Sequence, residues 1–297
     1  HSGPSGMVYN PGTALSDEWK NYFFVSSFPG AAAGARIYGF KLKEDGAGFA
    51  LADDKVALRG ILTVGMKFGP DGALYLADWI TGWDSKNKGR IWKLDSPAAA
   101  ASPMRTEVRT LIAADFATRS TADVSALLRH ADMRIRQKAQ FELVRRGDVQ
   151  SLLAAAAPAD RGPRSDQAPA HQLARIHGIW GVAQLARTAK DGAKHAALLT
   201  PLLTDADAEI RAQAAKMIGD LRYASAAPAL IPLLADSAPR VRFFAAEALG
   251  RVAYKQAAAP IVAMLAANDD KDVLLRHAGG LALSRLGDTA ALGALAQ

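Results

Sequence analysis

Gly65–Leu94 reads GMKFGPDGALYLADWITGWDSKNKGRIWKL, and its reading decides what kind of fold opens the chain. Pro70-Asp71-Gly72 forms a turn by a known mechanism: proline presets φ at the second turn position, and Gly72 accepts a positive φ. Met66-Lys67-Phe68 leads into that turn. Ala73–Ala77 leads out of it, apolar on both faces, as in a strand buried between layers. Gly89–Leu94 alternates, with Ile91 and Lys93 on one face and Arg90, Trp92 and Leu94 on the other. A loop from Asp78 to Lys88 separates these two strands and carries Trp79 and Trp83. Strand, turn, strand, loop and strand is the order of one β-propeller blade.

The same grammar runs upstream. Gly6–Tyr9, Tyr22–Ser27, Arg36–Lys43 and Phe49–Ala52 read as four strands, with Glu44-Asp45-Gly46 as a hairpin turn, and the pattern restarts at Ile61–Phe68. That makes about one and three-quarters blades. A propeller closes by radial repetition, so the expectation is a piece of a longer chain, one that opens in mid-motif at His1 without an initiator Met.

Downstream, Ser96–Pro103 is rich in Pro, Ala and Ser and reads as a boundary, and beyond it the hydrophobic period changes from 2 to 3.6. A motif recurs there: an apolar residue, Arg, then a small residue three positions on. It appears as Ile135-Arg136…Ala139, Ala174-Arg175…Gly178, Ile210-Arg211…Ala214, Val241-Arg242…Ala245 and Leu275-Arg276…Gly279. The arginines lie 39, 36, 31 and 34 residues apart, the period of helix-pair repeats of HEAT or armadillo type. Asp132, Asp207 and Asp272 each precede the apolar position by three residues, where an N-cap belongs. The expected fold class is therefore β + α in two domains. A partial β-propeller of about two blades (1–95) is followed by a linker (96–104) and an α-solenoid of HEAT-like repeats (105–297).

The net charge of +7 is uneven: residues 1–95 hold 11 Lys/Arg against 10 Asp/Glu, and residues 96–297 hold 25 against 19. The helical surplus is dispersed, with no basic run and no interleaved aromatic platform, so nucleic acid is not the expected partner. The absence of cysteine excludes a disulfide frame, a CxxCH haem attachment and a thiolate metal site within these residues. No apolar run is long enough to span a bilayer.

FGPDGALYLADWITGW…GRIWKL resembles the last blades of glucose/sorbosone dehydrogenase-like propellers. Together with HSGPSGMVYNPGTAL, DMRIRQKAQFEL and ARIHGIWGVAQLAR, it resembles large bacterial proteins that join such a propeller to HEAT repeats and a c-type haem domain. The resemblance implies a periplasmic or cell-envelope location and a sugar- or alcohol-oxidising parent using pyrroloquinoline quinone, calcium and haem c. Its HEAT array would dock the haem domain, and the rest of the propeller would be a further partner. The family's quinone-dependent members place an Arg-x-Arg pair before the GPDG turn. Here those places are Leu62 and Val64, a lysine of the preceding blade is replaced in the Phe28-Pro29-Gly30 region, and the general-base histidine belongs to an earlier blade. No cofactor is expected in this segment.

The ligand-site candidates are His1 and Ser5, in a segment that resembles a channel-facing one, and Asp78, Trp79 and Trp83 on a propeller-rim loop. The bland reading of the last three is that the tryptophans close the blade core and Asp78 caps the loop. Arg136, Arg175, Arg211, Arg242 and Arg276 read either as a basic stripe for a protein partner or as stacking groups that pair with neighbouring aspartates. The histidines show no zinc-site spacing, and no Ser/His/Asp constellation stands out. The function read from this is a segment of an oxidoreductase with no complete active site of its own. The alternative is a non-catalytic scaffold that binds a protein or polymer.

Overall fold

The computed structural model describes residues 3–80, 87–158 and 168–287, together with 289 and 293. The described residues form seven strands, all before residue 95, and helices from residue 97 onward. Strands β1 (Gly3–Tyr9), β2 (Phe23–Phe28), β3 (Arg36–Asp45) and β4 (Gly48–Arg59) build one sheet in that order. Strands β5 (Thr63–Phe68), β6 (Leu74–Asp78) and β7 (Arg90–Leu94) build a second. Neither sheet closes on itself.

Two compact units divide the chain. The first comprises residues 1–43, 50–115 and 130–136. Its core joins the two sheets through Phe24, Ile37, Phe68, Leu74 and Leu76, with Leu15 and Tyr22 from the β1–β2 connection. Gly6 and Gly65 let β1 and β5 approach closely: a Cβ on Gly6 would sit 3.4 Å from the Gly65 Cα. The turn after β5 closes with the Gly72 amide donating to the Gly69 carbonyl at 3.0 Å, and Gly72 takes φ +78. Two helices, α1 (Pro97–Ala100) and α2 (Pro103–Ala113), belong to this unit, so the stretch read as a linker is largely helical. From α2, the buried Arg105 donates to the Asp71 carbonyl at 2.7 Å and to both Asp95 carboxylate oxygens at 2.8 and 3.0 Å. Its guanidinium lies where a Cβ on Gly72 would stand, which makes the glycine necessary twice over.

The second unit comprises residues 44–49, 116–129 and 137–297. Its helices are α3 (Thr121–Ala126), the body of α4 (Met133–Arg145), α5 (Val149–Ala156), α6 (Ala168–Thr188), α7 (Gly192–Ala197), α8 (Ala208–Asp220), α9 (Ala227–Leu230), α10 (Pro239–Arg251), α11 (Ala258–Asn268) and α12 (Val273–Leu286). Short 3-10 turns, Thr200–Thr204 and Ile231–Ala235, follow α7 and α9. The helices α8, α10 and α12 pack in succession at small residues. A Cβ on Gly219 would meet the Ala248 Cα at 2.7 Å, and one on Gly250 would meet the Ala282 Cα at 2.7 Å. Alanine and glycine thus set the spacing between neighbouring helices, and Ile210, Val241 and Leu275 fill the layer beneath, fully buried. Residues 44–49 lie with this unit: the Ala47 amide donates to the Asp272 carboxylate at 2.7 Å.

Candidate protein-binding face of the helical repeats

The repeat arginines do not form a basic stripe. Arg136, in the first unit, is buried and donates to the carbonyls of His130 and Ala131 at 2.7 and 2.9 Å. Arg175 donates to the Ala156 carbonyl at 2.8 Å and pairs with Asp205 at 3.1 and 2.5 Å. Arg211 holds the carbonyls of Asp205 and Ala206 and pairs with both oxygens of Asp236. Arg242 bonds the carbonyls of Asp236 and Ser237. Arg276, largely exposed, meets Asp270 of its own repeat at 3.6 Å.

The three candidate aspartates cap helices. Asp132 accepts from the Arg134 amide at 2.8 Å, Asp207 from the Glu209 amide at 2.9 Å, and Asp272 from the amides of Leu274 and Leu275 at 2.9 and 3.2 Å. Asp132 is fully buried. Burial pushes its carboxyl pKa up, but the Arg134 guanidinium and the Thr13 hydroxyl more than offset this and hold it below the usual range. The acids that meet the arginines, Asp205 and Asp236, went unsingled in the sequence. Their signal was a fixed offset, five residues before the apolar position of the repeat.

A different face carries the unused chemistry. Helical spacing sets His177, Trp180 and Gln184 on one side of α6, Glu209 and Gln213 on one side of α8, and Arg240 and Phe244 on one side of α10. Gln140 of α4 donates to Gln184 at 2.7 Å and shares a 2.7 Å hydrogen bond with His177 Nδ1. The His177 and Trp180 rings meet edge-on at 5.4 Å. Trp180 Nε1 donates to Gln213 at 2.9 Å, Gln213 to Glu209 at 2.7 Å, and Arg240 Nε to the other Glu209 oxygen at 2.8 Å. The Arg240 guanidinium then lies over the rings of Phe244 and Phe49, at 5.0 and 5.3 Å. Two turns further along, Lys216 and Arg251 share Asp220 at 2.8 and 2.5 Å. The result is a satisfied polar and aromatic stripe across α4, α6, α8 and α10, with Trp180 partly open to solvent.

The remaining candidates sit in or beside the sheets. His1 and Trp83 lie outside the described residues. The Ser5 hydroxyl donates to the Thr63 carbonyl and shares a hydrogen bond with Ser26, so it serves the β1–β5 contact. Asp78 is buried at the end of β6 and accepts from the Ile80 amide and from Trp92 Nε1, both at 2.9 Å, with Arg90 at 3.3 Å. It anchors the loop. Trp79 and Trp92 are exposed, and among the described residues neither belongs to the buried core. Among the described residues no group of three metal-ligating side chains comes together, and no helix is long and apolar enough to cross a membrane.

A family model described as HEAT repeats matches residues 196–283. Those residues, from the end of α7 through most of α12, are HEAT repeats. Among solved structures the chain is similar to the complex of CpcE and CpcF of phycocyanin lyase from Nostoc sp. PCC7120, with 20% identity over 62% of this chain and 71% of that one and a TM-score of 0.42. It is also similar to an engineered protein, with 16% identity over 58% of this chain and 98% of that one and a TM-score of 0.34. No curated protein matches.

Proposed function

We propose that this chain is a non-catalytic scaffold that binds a partner protein through the polar and aromatic face of α4, α6, α8 and α10. The observation that carries this reading is the stripe from Gln140 to Arg240. Its side chains hold one another in fixed rotamers, and it presents an aromatic ring and a guanidinium, the groups that most often anchor protein interfaces. The HEAT repeats at residues 196–283 support it, since stacked helix pairs build extended recognition surfaces. In the same reading the four- and three-stranded sheets are blades of a degenerate propeller. That part, like a cell-envelope location, rests on the sequence resemblance alone.

The test places a photoreactive phenylalanine derivative at position 180 and, separately, at position 222 in the turn after α8, and exposes each to extracts of the native host. The expected result is one dominant adduct from position 180, with its yield reduced by Arg240→Ala. Equal labelling from both positions, or an adduct indifferent to Arg240, overturns the assignment. Titration with pyrroloquinoline quinone and calcium discriminates the oxidoreductase reading: fully buried Leu62 offers no cation, so no binding is expected. Saturable quinone binding with sugar-dependent dye reduction would restore that reading.

A further inference from the structure

Arg242 stands where a rung between repeats is missing. In the two rungs before it, the arginine reaches an aspartate of the following repeat: Arg175 meets Asp205 and Arg211 meets Asp236. Both acids end the same local sequence, Pro-Leu-Leu-x-Asp (201–205 and 232–236), and both follow a 3-10 turn. The acid at the same offset before Leu275 is Asp270. The chain reaches it differently, because α11 runs on as regular helix to Asn268, and Asp269 and Asp270 follow in the left-handed region at φ 48 and 55. This turn delivers the Asp270 carboxylate to Arg276 of its own repeat, at 3.6 Å.

Arg242 therefore keeps only half of what Arg211 has. One terminal nitrogen donates to the carbonyls of Asp236 and Ser237, at 2.6 and 3.2 Å, as Arg211 does in its own loop. Among the described residues no carboxylate lies within ion-pair distance of the remaining guanidinium edge. Asp236, whose backbone carbonyl Arg242 holds, already gives both carboxylate oxygens to Arg211. Beside Arg242 a groove of about 470 Å³ opens between the Ile231–Ala235 turn and α11, with walls of Ile231, Leu234, Pro260 and Met264. Asn268 borders it, but both ends of its amide are bonded to the Asp272 backbone. One half-satisfied cation in an apolar groove calls for a carboxylate attached to something apolar.

We propose that this groove takes a short segment of a partner protein with leucine-type side chains next to an aspartate, the carboxylate completing the rung on Arg242. This rests on the protein-binding reading above and deepens it, at a surface separate from the Trp180 face. The ligand class is written in the chain itself, since the two filled rungs show Leu-Leu-x-Asp as the sequence that satisfies this arginine.

The experiment uses the full chain and a fluorescein-labelled, C-terminally amidated peptide, Pro-Leu-Leu-Ala-Asp-Ser, followed by polarisation. Saturable binding is expected, weaker by about tenfold or more for the Asn-for-Asp peptide, because a charge-assisted bidentate contact is lost. Arg242→Gln should erase that discrimination. Ala267→Trp, on the exposed side of α11 within the groove, should block both peptides while leaving the arginine in place, and so serves if Arg242→Gln fails to fold. Equal affinity for the two peptides, discrimination that survives Arg242→Gln, or no saturation overturns the proposal. Arg242-dependent binding of octanoate without peptide binding also overturns it, in favour of a free amphiphile. None of these outcomes bears on the cross-linking at position 180, so the scaffold reading stands or falls separately.

Discussion

Arg211 and Asp236 meet edge to edge across the boundary between consecutive repeats, Nε to one carboxylate oxygen at 2.7 Å and a terminal nitrogen to the other at 2.8 Å, with both side chains mostly buried. Removing one partner of such a pair strands the other charge, at a typical cost of about 3 kcal/mol. Asp236→Ala should therefore destabilise the helical unit by about that much, whereas the double variant Arg211→Leu/Asp236→Leu should recover most of the loss. Urea unfolding followed by far-UV circular dichroism measures both. Equal destabilisation by the single and double variants would show that the pair itself stabilises the array.

The pairing also sets the pH dependence. Burial raises the carboxyls of Asp205 and Asp236, but hydrogen bonds from Arg175 and Arg211 and from backbone amides bring both below the usual value. The Arg145 guanidinium takes Glu142 to about 2. Carboxyls depressed in the native state bind fewer protons than they do unfolded, so their stabilisation is complete above the unfolded value of about 4 and is lost as pH falls through the folded values. Burial lowers His130, so its contribution is complete above its unfolded value of about 6.5 and starts to fall below it. Urea midpoints should thus decline gently below about pH 6.5 and steeply below about pH 4. Asp236→Asn should flatten the steep limb, and His130→Gln the gentle one.

Sequence and structure agree best where the signal is local. The alternation of Arg36–Lys43, the GPDG turn and the capping aspartates depend on neighbours within a few residues, and strands and caps lie where those signals put them. Asp205 and Asp236 act across 25 to 30 residues, on partners that only stacking brings near, so their role surfaced with the fold. The same holds for Arg105, whose partners include a backbone carbonyl 34 positions away. Trp79 misled for a related reason: its size promised core, but burial depends on what lies opposite, and among the described residues it stays 40% exposed.

Helix ends offer a stabilising change. Residues 147, 222, 253 and 287 each follow a helix in the left-handed region, as Gly147 and Gly287 but also as Arg222 (φ 51) and Ala253 (φ 53). A side chain there costs about 1 kcal/mol that glycine avoids, against a smaller entropic penalty in the unfolded chain. Ala253→Gly should raise the thermal midpoint slightly, and Gly287→Ala should lower it. A fall for Ala253→Gly would mean that the alanine methyl packs better than its backbone is strained.

The sheet strands, not the helices, should govern self-association. In the second sheet β7 is an edge strand, with Ile91 at 74% exposure and Trp92 at 41%. In the first sheet β4 is an edge strand, with Leu51 at 57%. An exposed edge offers unpaired amides and carbonyls, and apolar side chains on it add a drive to exclude water. The first 95 residues hold six of the ten phenylalanines and four of the five tryptophans at almost no net charge, so repulsion does little to keep two copies apart. The helices carry the charge surplus and bury their small residues against one another. Light scattering of the full chain should accordingly show concentration-dependent association. Ile91→Lys combined with Leu51→Lys should suppress it without moving the far-UV spectrum, because a charge on an edge strand is the usual guard against edge-to-edge pairing. If the double variant associates as strongly as the parent while Trp180→Ala abolishes association, the contact lies on the helical stripe instead, and the partner for that stripe includes a second copy of the chain.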